Sequence, residues 1–138
     1  MSSDRGSVLV LGLGFIGVLL LALSVVIDAS LALIQRSTLQ ARADAAVLAG
    51  VQAIDLDTYY AHGATSATRL VPQAARVKVV EHFERSQRSA AIPDAQVLSI
   101  TADGSYVETV FQAPARLVFW PVEALITVKA AAQLDYVG

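Results

Sequence analysis

From Val8 to Ile27 the chain runs for twenty residues with no charge, Pro, Asn or Gln. A helix needs about twenty such residues to cross a hydrocarbon core of roughly 30 Å, so the run predicts a transmembrane helix. The pattern then changes without a break, because no Pro occurs before Pro72. Beyond Ser37, Leu39, Ala43, Ala46, Val47, Gly50 and Ile54 recur at steps of three and four, while Arg36, Gln40, Asp44 and Gln52 fall mostly elsewhere. Such steps put residues on one helical face. One continuous helix from about Arg5 to Asp55 is therefore expected, apolar all round at first and two-faced afterwards. The small residues on its later stripe let a sheet or another helix approach closely.

The rest of the chain is patterned as a small domain. Asp55 to Leu70 is turn-rich and aperiodic and is expected to be a loop. Pro72 suits the first turn of a second helix, over about 71–89, with Val77, Val80 and Phe83, and Val79 beside them, as its buried stripe. Glu81–Arg85 and Glu84–Arg88 stand at i,i+4 spacing on its charged face. Ile92-Pro93-Asp94 closes that helix. Alternation over 95–102, 105–113 and 124–135 predicts three strands, with Asp103-Gly104 as a hairpin turn between the first two. In the third, Leu125, Thr127 and Lys129 share one face and Ile126, Val128, Ala130 and Ala132 the other. The expected fold class is α+β: a long N-terminal helix and a second helix packed on a three-stranded antiparallel sheet. Residues 1–7 are expected to form a short polar tail, 8–34 the transmembrane part and 35–138 the domain.

Composition narrows the chemistry more than it identifies it. A chain of 138 residues with 55% hydrophobic residues and mean hydropathy +0.57 is unusually apolar, and the excess lies before residue 35. Net charge is −2, which gives no electrostatic footprint for nucleic acid. With no Cys, disulfides, thiolate nucleophiles and Cys-based zinc sites are excluded. A secretory signal would have a basic start and a shorter apolar core, so a retained anchor is expected rather than cleavage after the small-residue triplet Ser30-Leu31-Ala32. Flanking charge does not settle orientation: Arg5 lies on one side of the run and Arg36 and Arg42 beyond the other.

Gly12, Gly14 and Gly17 spell GxGxxG, the dinucleotide-binding fingerprint. Its context fails, because the following segment is apolar all round and no acid stands at the end of a second strand about 20 residues on. No cofactor is expected. Tyr59, Tyr60 and His62 cluster in the loop, and His82 lies in another element; two histidines without an organised carboxylate make no metal site. No nucleophile–base pair or paired carboxylate motif marks a catalytic residue. Asp28 ends the apolar run and reads as an interfacial residue at the helix exit or as a polar contact to a neighbouring subunit. Phe119, Trp120 and Pro121 fall in a loop between strands. They mark an interface or a membrane-surface belt, or they fold back as a lid over a thin core.

Four stretches together resemble the TadE/TadG-like proteins of tight-adherence (Flp-type) pilus assembly. They are Arg5-Gly6-Ser7 before the apolar run, its Val26-Ile27-Asp28 exit, LQARADAAVLAG over Leu39–Gly50, and Phe119-Trp120 followed by ITVKAAAQL. The third looks like the family's LQ-x-x-A-D-A-A-x-L-A pattern and is the most specific. The resemblance implies a bacterial protein with a pseudopilin-like fold, held in the cytoplasmic (inner) membrane by one helix with its C-terminal domain outside. It implies other pilus or secretion-apparatus subunits as partners and no small-molecule substrate. Prepilin-type members carry a Glu five residues after the processing glycine. Counted from Gly6, that position is Leu11. The TadG-like branch, which also tends to lack that Glu, is therefore favoured, and Gly6 is only a candidate processing site.

The expected function is a membrane-anchored, minor pilin-like structural component, with Asp28, Leu39, Gln40 and Asp44 shaping assembly or the helix–domain junction. The alternative is a tethered exported binding module that uses the Tyr59–His62 loop or the Phe119–Pro121 loop. An enzyme is not expected.

Overall fold

The structure is a computed structural model that describes residues 3–52, 70–87, 94–120 and 123–134, with the side chains of the first helix described from Gly6 onward. Ile54, the Tyr59–His62 loop, Arg88, Ile92, Pro93, Pro121 and Asp135 lie outside the described residues. Helix α1 runs unbroken over Ser3–Val51 and so takes in most of the expected polar tail. At 1.5 Å per residue it is about 74 Å long. It contains an 18-residue window of mean hydropathy 2.8, none of it buried by the protein. From Gly6 to Ile27 every residue but Ser24 is exposed. That apolar surface has no partner among the described residues of the chain itself.

The second part of α1 meets everything else. Helix α2 spans Pro72–Gln87, and strands β1 (Gln96–Ala102), β2 (Tyr106–Ala115) and β3 (Ala124–Gln133) form an antiparallel sheet in the order β1-β2-β3. Leu39, Ala43, Ala46, Val47 and Gly50 of α1 are buried, as the small-residue stripe predicts. They share one core with Val107, Phe111 and Ala113 of β2, Val128 and Ala130 of β3, and Ala75, Val79 and Phe83 of α2. Phe83 and Phe111 meet with ring centroids 4.4 Å apart and a 38° tilt, a geometry that adds about 0.5–1.5 kcal/mol beyond the area buried. Where α1 crosses α2, a Cβ built on Gly50 would lie 2.5 Å from Val79 Cγ2 and 3.3 Å from the Ala75 carbonyl oxygen. Only glycine lets the two helices approach that closely.

Two expectations change. The buried stripe of α2 is Ala75, Val79 and Phe83, whereas Val77 is 57% exposed. Steps of four from Phe83 select that row, and Val77 points off it. In β1, strict alternation from Val97 would turn Ser99 and Thr101 inward. A bulge between Val97 and Ser99 instead leaves Leu98 exposed and brings Ile100 and Ala102 toward the core. The β1–β2 turn occupies Asp103–Ser105 and is closed by the Asp103 N–H donating to the Tyr106 carbonyl at 2.8 Å. Leu70, just ahead of α2, donates its N–H to the Gly104 carbonyl at 2.8 Å, tying the approach to α2 onto that turn.

Candidate functional site: the helix–domain junction

Asp28 lies one residue beyond the apolar run and is only 5% exposed. A buried carboxylate needs several donors to replace its water. Three consecutive backbone amides of the segment after β2 provide them. Oδ1 accepts from Val118 N–H at 2.8 Å and Phe119 N–H at 3.2 Å; Oδ2 accepts from Phe119 at 3.1 Å and Trp120 at 2.9 Å. The acid anticipated as an interfacial residue or a subunit contact is therefore used within its own chain. It pins the 116–120 loop against α1.

Two turns further along the same helical face, Gln35 forms a reciprocal pair with Arg116. Its Nε2 donates to the Arg116 carbonyl at 2.7 Å and its Oε1 accepts the Arg116 N–H at 2.8 Å. One amide side chain thus completes the backbone hydrogen bonding of a residue that has just left the sheet. Gln40 Nε2 donates to the Lys129 carbonyl on β3 and to Asp44 Oδ1, both at 2.9 Å. Gln40 thereby caps a carbonyl of a strand that has β2 as its ladder partner, while Asp44 holds the amide in place.

The four residues singled out at this junction do different things. Leu39 is fully buried in the domain core and presents nothing outward. Asp28 and Gln40 tie α1 to the loop and to β3, and Asp44 is exposed on the helix surface. Gly6 is exposed in the first turns of α1, with open space around it. Phe119 and Trp120 are 54% and 47% exposed, so they do not form a lid over the core. Their amides face Asp28 while the rings stay outside, together with Val118 at 68% exposure.

Sequence reasoning missed Gln35, although a signal for it exists. Asp28, Ala32, Gln35, Leu39, Ala43, Ala46 and Gly50 continue one stripe at steps of three and four, so two polar side chains stand at the start of a buried face. Polar groups on a buried face need partners, and here the loop backbone supplies them. Two other buried polar atoms, Thr109 Oγ1 on β2 and one Arg42 Nη1, have no hydrogen-bond partner among the described residues. No cluster of three or more His, Cys, Asp or Glu that could hold a metal occurs among those residues. Glu81 and Arg85 form an exposed i,i+4 ion pair.

Residues 6–53 match the family model described as "Putative Flp pilus-assembly TadE/G-like". Over that helix the chain is similar to the TadE/TadG-like family. The matched segment covers both natures of α1, the apolar run and the stripe that builds the core, and ends just past its last turn. It is about a third of the chain, and the sheet domain lies beyond it. The match supports a TadE/TadG-like helix of the kind found in Flp pilus-assembly-related components. No curated protein and no solved structure matches the chain.

Proposed function

We propose that this protein is a membrane-anchored, minor pilin-like component of a Flp-type pilus-assembly apparatus, closer to the TadG-like branch. In this reading residues 8–34 cross the cytoplasmic membrane, 8–27 in its hydrocarbon core and 28–34 in the headgroup layer, and the domain stands on the outer side. The observation that carries the reading is the TadE/G-like match over a helix that is apolar enough to span a bilayer and continues into a folded core. A helix shared in this way is a stiff lever. Force or position imposed on the domain is passed to the anchor through Asp28, Gln35 and Gln40 rather than through a flexible linker. Beyond the apolar run, Ile34 and Leu48 remain exposed on α1, near Ala41 and Asp44. That face is available to a neighbouring subunit of the apparatus.

Protease protection on intact spheroplasts, with the mature N-terminus sequenced from the same sample, tests the reading. A domain digested from outside and an intact N-terminus are expected. Cleavage after Gly6 would make the protein a processed pilin despite Leu11. Cleavage after Ala32 would release a soluble domain and favour a binding module. A domain protected from outside would refute the proposed topology, and unchanged pilus output in a deletion strain would refute the role.

A further inference from the structure

We infer that the 116–120 loop is a lipid-contacting foot that seats the domain on the bilayer surface, with Val118, Phe119 and Trp120 entering the boundary between headgroups and hydrocarbon. The inference rests on the proposed membrane anchoring. Three features of the loop lead to it. The first is height. The apolar run ends at Ile27, and the loop is bound to the next residue, Asp28. If Val8–Ile27 fills a core of roughly 30 Å, a loop held beside residue 28 lies at that core's outer edge.

The second is the backbone. In water, the amides of a surface loop need no dedicated acceptor. At a dehydrated interface each unsatisfied N–H is costly. Here three successive amides, 118–120, are satisfied by one carboxylate, and the same contacts compensate the carboxylate for lost water. The third is what the loop shows outward. Val118, Phe119 and Trp120 are the exposed apolar residues of the turn, and the surface continues along the domain's underside. Trp120 and Leu125 line one groove, and Leu125 and Leu33 of α1 line the next. Trp suits this position because its ring is apolar while its N–H can stay in the headgroup layer. Foot and anchor together would fix the height and tilt of the domain, which one helix alone leaves free to rotate.

The chain has one Trp, so Trp120 reports on its own surroundings. The test uses full-length protein in phosphatidylethanolamine/phosphatidylglycerol vesicles. Their lipids carry a nitroxide on the headgroup, near the top of the acyl chain, or near the bilayer centre. Flotation after an alkaline carbonate wash is measured on the same sample. The expected result is protein that floats, with a blue-shifted Trp120 emission quenched most by the upper-chain label and little by aqueous iodide. Val118→Ser/Phe119→Ser, which alters neither Asp28 nor the core, should shift the emission to the red and weaken lipid quenching while flotation is kept. Floating protein whose Trp120 is quenched by iodide and not by lipid labels overturns the foot and leaves the anchor standing. Shielding from both quenchers that disappears as protein is diluted in lipid assigns the loop to a second copy, and also overturns it. Protein that fails to float removes the anchor and the foot together.

Discussion

The junction makes a quantitative claim about Asp28→Ala. The carboxylate receives four N–H···O contacts from three donors, with the Phe119 N–H shared between its two oxygens. A hydrogen bond to a charged group contributes about 1.5–3 kcal/mol net. The three donors share one carboxylate and one short loop, so their contributions do not add. The expected loss is therefore about 2–3 kcal/mol in the free energy of opening the loop, below the sum of three separate bonds. At a factor of ten per 1.4 kcal/mol, amide exchange at 118–120 should accelerate by roughly thirtyfold to 140-fold. Hydrogen exchange by mass spectrometry or NMR on the full chain in detergent micelles reads this directly, with the β2–β3 ladder amides as an internal reference. Asp28→Asn should fall near the same value, since it keeps one acceptor oxygen and turns an NH2 toward the amide donors. Unchanged exchange at 118–120 would refute the carboxylate's role. Equal acceleration across the sheet would mean that the junction supports the whole domain and not the loop alone.

Other substitutions test the core and the junction separately. Gly50→Ala places a methyl 2.5 Å from Val79 Cγ2 and 3.3 Å from a backbone oxygen. Overpacking of about 1–3 kcal/mol should outweigh a helix-propensity gain of at most about 1 kcal/mol, so the denaturation midpoint should fall. Thr109→Val replaces a fully buried hydroxyl that has no partner among the described residues with a methyl of similar shape, and should stabilise by about 1 kcal/mol, read as a raised Tm. Tyr106 donates to Glu108, and that bond, with minor help from burial and the nearby charge, holds the phenol above its ordinary 10.0. Stability from this contact is complete below the unfolded value and lost as pH rises through the folded one, and Glu108→Gln should lower the Tyr106 midpoint in an NMR titration. Asp44→Lys, which removes the acceptor that steadies Gln40, should reduce pilus output more than membrane insertion. Normal output would count against Asp44 as an assembly position.

What the sequence determined by itself was the part governed by local rules. Twenty uncharged residues name a membrane-length helix whatever follows, since the cost of burying backbone in lipid depends on that segment alone. The three- and four-residue steps from Leu39 to Gly50 likewise define a buried stripe because helix geometry is fixed, and the alternation in β3 sorts Leu125 from Val128 for the same kind of reason. The tertiary structure decided whatever depends on a partner distant in the chain. Asp28 reads as a boundary residue until the amides of Val118 to Trp120, ninety residues away, are seen to converge on it. Gln35 is an unremarked polar residue until it meets Arg116. From sequence the aromatic pair reads either as an interface or as a lid over the core, since so small a domain has few large side chains to bury. Instead Phe83 and Phe111 fill that space from opposite layers. With the core closed and the loop backbone drawn in by a carboxylate, Phe119 and Trp120 can only face outward.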